Sequence, residues 1–127
     1  MNITQTPISD LLILQPDIFE DGRGYFFESY NENSFKKAGI PVEFVQDNES
    51  KSDKGVLRGL HLQLPPYDQV KIVRAVRGSA LDVAVDMRID SDTYGKYYSV
   101  VISEENKTMV YIPVGFGHGF LSLENNT

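Results

Sequence analysis

The sequence contains no cysteine, only two histidines, and no apolar run near the roughly 20 residues that cross a bilayer. Without cysteine there are no disulfides and no thiolate metal sites, and nothing indicates an oxidising compartment. Met1 to Asp10 lacks the basic-then-apolar pattern of a secretory leader, so a cytoplasmic protein is expected. Positive charge is also in short supply. A formal net charge of −6 argues against nonspecific binding to nucleic acid, although a local basic pocket for a small anion stays open. What is present is ordinary for a folded domain: 41% hydrophobic residues, with seven Tyr and seven Phe among 127 positions. That length fits one domain, residues 1–127, with one core.

Repeats, low-complexity tracts and linkers are absent. Short β-branched and aromatic runs are broken by Gly, Pro, Asn and Asp. Strands are predicted over Leu11–Leu14, Gly24–Tyr30, Val42–Gln46, Val56–Leu64 and Val70–Val76. Ala80–Met87, Tyr97–Ser103, Met109–Pro113 and Gly119–Leu123 complete the series. One short helix is predicted over Asn31–Ala38, capped by Asn31 or Asn33 and stopped by Gly39 with Pro41 beyond. The pattern predicts an all-β jelly roll.

Alternation assigns faces, since strand neighbours two apart point the same way. In Ala80–Met87 the face Leu81, Val83, Val85, Met87 reads as core packing. The opposite face, Ala80, Asp82, Ala84, Asp86, leaves room beside two carboxylates. Lys71 shares a face with Val73 and Ala75, and His61 with Leu57, Gly59 and Gln63. Ionisable groups on such strands are costly unless paired or useful, which points to a site inside the barrel.

His61 and His118 are the natural proton-transfer candidates, and each also reads as a satisfied structural side chain. A metal centre would call for a His-x-His pair with a nearby Glu, and here His61 is followed by Gln63, so no metal is expected. Lys71 is suited to stabilise an enolate oxygen, or is a surface lysine. Asp82 is suited to orient His61, or lies in an internal ion pair with Arg74 or Arg88. Arg23, Arg58 and Lys71 form a constellation for a phosphate or pyrophosphate. Gln46, Asp47 and Asn48 suit a sugar or base, or a turn. The Gly-dense run Pro113 to Phe120 lets backbone pass close to a ligand or turn tightly, with His118 at the barrel mouth as the sharper option.

Several ordered segments carry a wider likeness: Asp21-Gly22-Arg23-Gly24-Tyr25-Phe26-Phe27-Glu28, Phe44 to Ser50, Gly55-Val56-Leu57-Arg58-Gly59-Leu60-His61 and Gln69-Val70-Lys71. Asp82 to Arg88, Ser91-Asp92-Thr93-Tyr94-Gly95 and Pro113 to Phe120 follow in order. With them the chain resembles the dTDP-4-dehydrorhamnose 3,5-epimerase family. The resemblance implies a cofactor-independent, metal-free cupin jelly roll acting as a homodimer on dTDP-4-keto-6-deoxy-glucose, with 4-keto-L-rhamnose nucleotide as product. By position it implies His61 as proton acceptor and Lys71 beside the C4 carbonyl. Arg23, Glu28, Gln46, Asp47, Asn48, Arg58 and His118 are implied nucleotide-sugar contacts.

The family's N-terminal strand crosses to the partner subunit, which would place Arg23 and Glu28 in the neighbour's site. Asp82 is our addition from strand alternation, and a later carboxylate is the other candidate partner for His61. The family's general-acid tyrosine and thymine-stacking aromatic fall beyond Thr127, and Tyr94, Tyr97, Tyr98 and Tyr111 do not sit in the matching motif. The expectation is therefore a truncated version of a complete epimerase, rather than a natural short form that binds or partly epimerises its ligand. Inversion at C3 or C5 alone, or silent binding of nucleotide sugars, are the alternatives.

Overall fold

A computed structural model describes residues 1–40 and 43–127. Among the described residues ten strands and one helix follow in chain order: β1 (Asn2–Gln5), β2 (Leu12–Gln15), β3 (Ile18–Asp21), β4 (Gly24–Phe27), α1 (Glu32–Lys37), β5 (Leu57–His61), β6 (Lys71–Arg74), β7 (Ser79–Asp86), β8 (Tyr97–Ser103), β9 (Met109–Ile112) and β10 (Phe116–Ser122). Two four-stranded antiparallel sheets, β1-β2-β9-β6 and β5-β10-β7-β8, are joined by a separate β3–β4 hairpin. This is the expected all-β jelly roll with a single short helix.

Ile8, Leu11, Ala80, Ala84, Ile102, Val110, Ile112 and Phe116 form the core between the two large sheets. A second core of Leu12, Leu14, Phe35, Ile40 and Met109 lies on the other face of the first sheet. The helix is too short to be stable alone and is held there by Phe35. Asn31 caps it, its side chain accepting from the Asn33 and Ser34 amides, and Gly39 ends it at φ +82°.

Differences from the predicted strands have local causes. β1 is polar and β3 is a four-residue arm of a hairpin, so neither carries a strong apolar run. Val42, where a strand was predicted to start, and Pro41 lie outside the described residues. Glu43–Gln46 is not a strand: Phe44 is anchored through its ring, edge-on to Tyr30 and Phe35, rather than through a ladder.

The faces of β7 are reversed from the predicted packing. Ala80, Asp82, Ala84 and Asp86 are buried, whereas Leu81, Val83 and Val85 are only half-buried and Met87 is exposed. The opposing sheet fills the interior with Val110 and Ile112, leaving space on the inner face of β7 for small side chains and carboxylates.

Candidate active site

In an antiparallel pair, residues opposite each other share a face. On β10, Phe120 packs against the inter-sheet core, so His118, two residues earlier, is on the same inner face. Across to β5, Arg58 lies opposite Phe120 and His61 opposite His118. Two residues, Gly59 and Leu60, lie between Arg58 and His61, but only Gly119 lies between their partners, so β5 carries an extra residue as a bulge. The bulge moves His61 onto the inner face with Arg58, not onto the face of Leu57 as simple alternation predicted.

Two glycines make this crossing possible. A Cβ on Gly59 would meet the His118 carbonyl oxygen at 2.5 Å, and one on Gly119 would meet the Arg58 carbonyl oxygen at 2.6 Å. Gly59 also has φ +93°, a conformation that L side chains rarely adopt. In the sequence Gly59 reads only as a neighbour of His61, and the Gly-dense run holding Gly119 only as a turn or a close approach to a ligand, so neither marks the crossing. A glycine inside a strand was the available clue.

Asp82 does not orient His61. Its Oδ2 lies 2.8 Å from Nε2 of His118, and Asp82 is 1% exposed. Its Oδ1 has no hydrogen-bond partner among the described residues. Nor does Asp82 pair with Arg74 or Arg88. Arg88 belongs to Asp86, four residues along the same inner face.

Asp86 accepts from the Arg88 amide and guanidinium, Ser91 Oγ and Thr93 Oγ1. Burial pushes its carboxyl up, but these hydrogen bonds outweigh burial and hold it well below the usual carboxylate range. They raise Arg88 correspondingly, and its guanidinium also meets Asp10 and stacks over Phe116. This is a saturated structural network at one end of the barrel.

Lys71 comes from the opposing sheet. It lies opposite Ile112, and Val73 lies opposite Val110, both partners being core residues. Lys71 therefore sits on the inner face of β6, as predicted. Packed sheets lie roughly 10 Å apart, a gap that a sugar ring between His61 and Lys71 would span. His61 is exposed and Lys71 half-buried, so this part of the interior is open to solvent.

The other predicted contacts are spread more widely. Arg58 donates to Ser52 Oγ and the Lys51 carbonyl, which tie it to the loop before β5. Gln46, Asp47 and Asn48 line a cleft of about 910 Å³ with Lys51, Arg74 and Phe120. His61, Lys71 and His118 do not line that cleft. Phe120 connects the two regions, since it shares the inner face of β10 with His118.

Arg23 is at the tip of the β3–β4 hairpin, bonded to Asp21 and fully out in solvent. Glu28 accepts from Asn31 and Ser34 at the start of α1. Neither is brought to His61. Among the described residues there is no group of three His, Cys, Asp or Glu placed to hold a metal. None of their helices is long and apolar enough to cross a membrane.

Comparison with known proteins matches residues 5–127 to the family model described as dTDP-4-dehydrorhamnose 3,5-epimerase. The dTDP-4-dehydrorhamnose 3,5-epimerase of Shigella flexneri is 56% identical over 126 residues, 98% of this chain and 70% of that protein. A crystal structure of the enzyme of the same name from Elizabethkingia anophelis superposes with a TM-score of 0.92 at 50% identity, over 98% of this chain and 69% of that one. A dTDP-6-deoxy-D-glucose-3,5-epimerase of Legionella pneumophila, solved with dTDP-4-keto-L-rhamnose, gives a TM-score of 0.92 at 46% identity. That match covers 97% of this chain and 65% of the Legionella chain.

Proposed function

This chain belongs to the dTDP-4-dehydrorhamnose 3,5-epimerase family, an isomerase family of dTDP-rhamnose synthesis, and we propose how its own residues carry that reaction. The substrate is dTDP-4-dehydro-6-deoxy-D-glucose and the product dTDP-4-dehydro-L-rhamnose. The 4-keto group acidifies the C–H bonds at C3 and C5. His61 takes the proton from each carbon, and the electron pair moves onto the C4 oxygen as an enolate. Lys71 stabilises that oxygen with its ammonium charge. A proton returned to the opposite ring face, from a group other than His61, completes each inversion. No redox change occurs, so the chemistry calls for no cofactor.

The observation that supports this reading best is the placement of His61 and Lys71 on the inner faces of two opposed sheets. His118 and Arg58 accompany His61 on its face, and Gln46, Asp47 and Asn48 border the adjoining cleft, which suits the nucleotide end of the ligand. We further propose a homodimer in the cytoplasm, with the β3–β4 hairpin reaching the partner. Phe19 and Phe26 are 65% and 69% exposed on that hairpin, and Arg23 and Glu28 would serve the neighbour's site. Sedimentation would then give a dimer, and a monomer would remove this part of the proposal.

Solvent deuterium exchange tests the reaction. Double inversion incorporates two deuterons into the sugar and inversion at one carbon incorporates one. A silent binder incorporates none. His61→Ala should abolish exchange, and exchange surviving in that variant would show that the base is another group.

A further inference from the structure

Asp82 and His118 form a buried pair that the proton-transfer steps do not use. Nε2 of His118 lies 2.8 Å from Oδ2 of Asp82, and with Asp82 as the carboxylate, which only accepts, Nε2 is the donor. In the neutral ring Nδ1 is then the acceptor. Buried carboxylates with a purely structural task normally have both oxygens bonded, as Asp86 does. Asp82 leaves Oδ1 without a partner among the described residues and commits its other oxygen to His118. That ring sits on the inner face as the cross-strand partner of His61.

We propose that Asp82 is a positioning residue: it holds His118 as the Nε2–H tautomer, so that Nδ1 accepts a hydrogen bond from a hydroxyl of the bound sugar. The inference rests on the nucleotide-sugar reading of the site and deepens it. A neutral hydroxyl has the proton that Nδ1 needs. A phosphate oxygen has none to give and meets a lone pair, so the pair recognises the sugar and not the pyrophosphate.

The test is nitrogen-15 NMR of the imidazoles in the whole chain, with His61→Ala used to assign His118. The wild type should show Nε2 protonated and Nδ1 bare. Adding dTDP-glucose should shift the Nδ1 resonance, whereas dTDP or pyrophosphate should not. In Asp82→Asn the amide can present either oxygen or NH2 to the ring. Mixed tautomers and roughly tenfold weaker dTDP-glucose binding are expected, with dTDP binding unchanged. Asp82→Glu should recover part of the preference.

A protonated Nδ1 in the wild type overturns the proposal, as does an Nδ1 resonance that responds equally to dTDP. The wild-type spectrum needs no variant to fold. Absence of deuterium exchange in the wild type would sink the epimerase reading alone and leave the tautomer result standing.

Discussion

Asp82 and Asp86 occupy the same face of the same strand, four residues apart, both essentially removed from solvent. Their surroundings differ completely. Asp86 is surrounded by donors from Arg88, Ser91 and Thr93, with Arg88 itself tied to Asp10. Among the described residues Asp82 has one side-chain partner, the ring of His118, and an oxygen without one. A buried carboxylate loses several kcal/mol of hydration, and only a full set of donors repays that. Asp86 therefore reads as a fastener for the β7–β8 corner, whereas Asp82 carries a cost that folding alone does not explain. Burial by itself did not distinguish them. Saturation did.

The largest effect expected from breaking this comparison is at the fastener. Asp86→Ala removes the buried acceptor shared by Arg88, Ser91 and Thr93, leaving Arg88 with Asp10 and the Ser9 carbonyl, and should destabilise the fold by about 3 kcal/mol, read by urea unfolding. A next, smaller effect is expected at the crossing that holds the histidines. Gly119→Ala forces a methyl against the Arg58 carbonyl and should cost about 1–3 kcal/mol. It should also depress deuterium exchange more than stability, because the His61–His118 register moves.

Acid provides a third way to separate the two aspartates. The Asp86 carboxyl is held below its ordinary value, so its contribution is fully present above the unfolded pKa of about 3.9 and is lost as pH falls through the folded value. Stability should thus drop from about pH 5 downward, and the drop should flatten in Asp86→Asn. The smallest stability change is expected for Asp82→Asn, about 1 kcal/mol or less, because shape is kept and one hydrogen bond is altered.

Much of the fold was readable from patterns that are local. Asn31 and Gly39 marked the ends of the helix, and Tyr97–Ser103 marked a strand to the residue. The sequence points His61 and Lys71 toward a site inside the barrel, where strand pairing puts them, but simple alternation sets His61 and Arg58 on opposite faces of β5 and the pairing sets them on one. Period-two counting fails across a bulge, and the Gly59–Gly119 contact that creates it joins residues far apart in sequence. The inner face of β7 was misjudged for a similar reason. Whether Leu and Val or Ala and Asp point inward depends on what the facing sheet already fills, and a single strand does not contain that information. The partner of Asp82 depended on the pairing of β7 with β10, so only tertiary structure identified it.

The central claim is that Asp82 serves the ligand and Asp86 serves the fold. Measuring urea stability and deuterium exchange per folded molecule in Asp82→Asn and Asp86→Asn tests it most directly. The account predicts a crossed result: Asp82→Asn stays near wild-type stability and exchanges roughly tenfold more slowly at low substrate, recovering at saturation, while Asp86→Asn loses stability and keeps exchange in the molecules that remain folded. Parallel losses in both variants, or undiminished exchange of Asp82→Asn at low substrate, would contradict it.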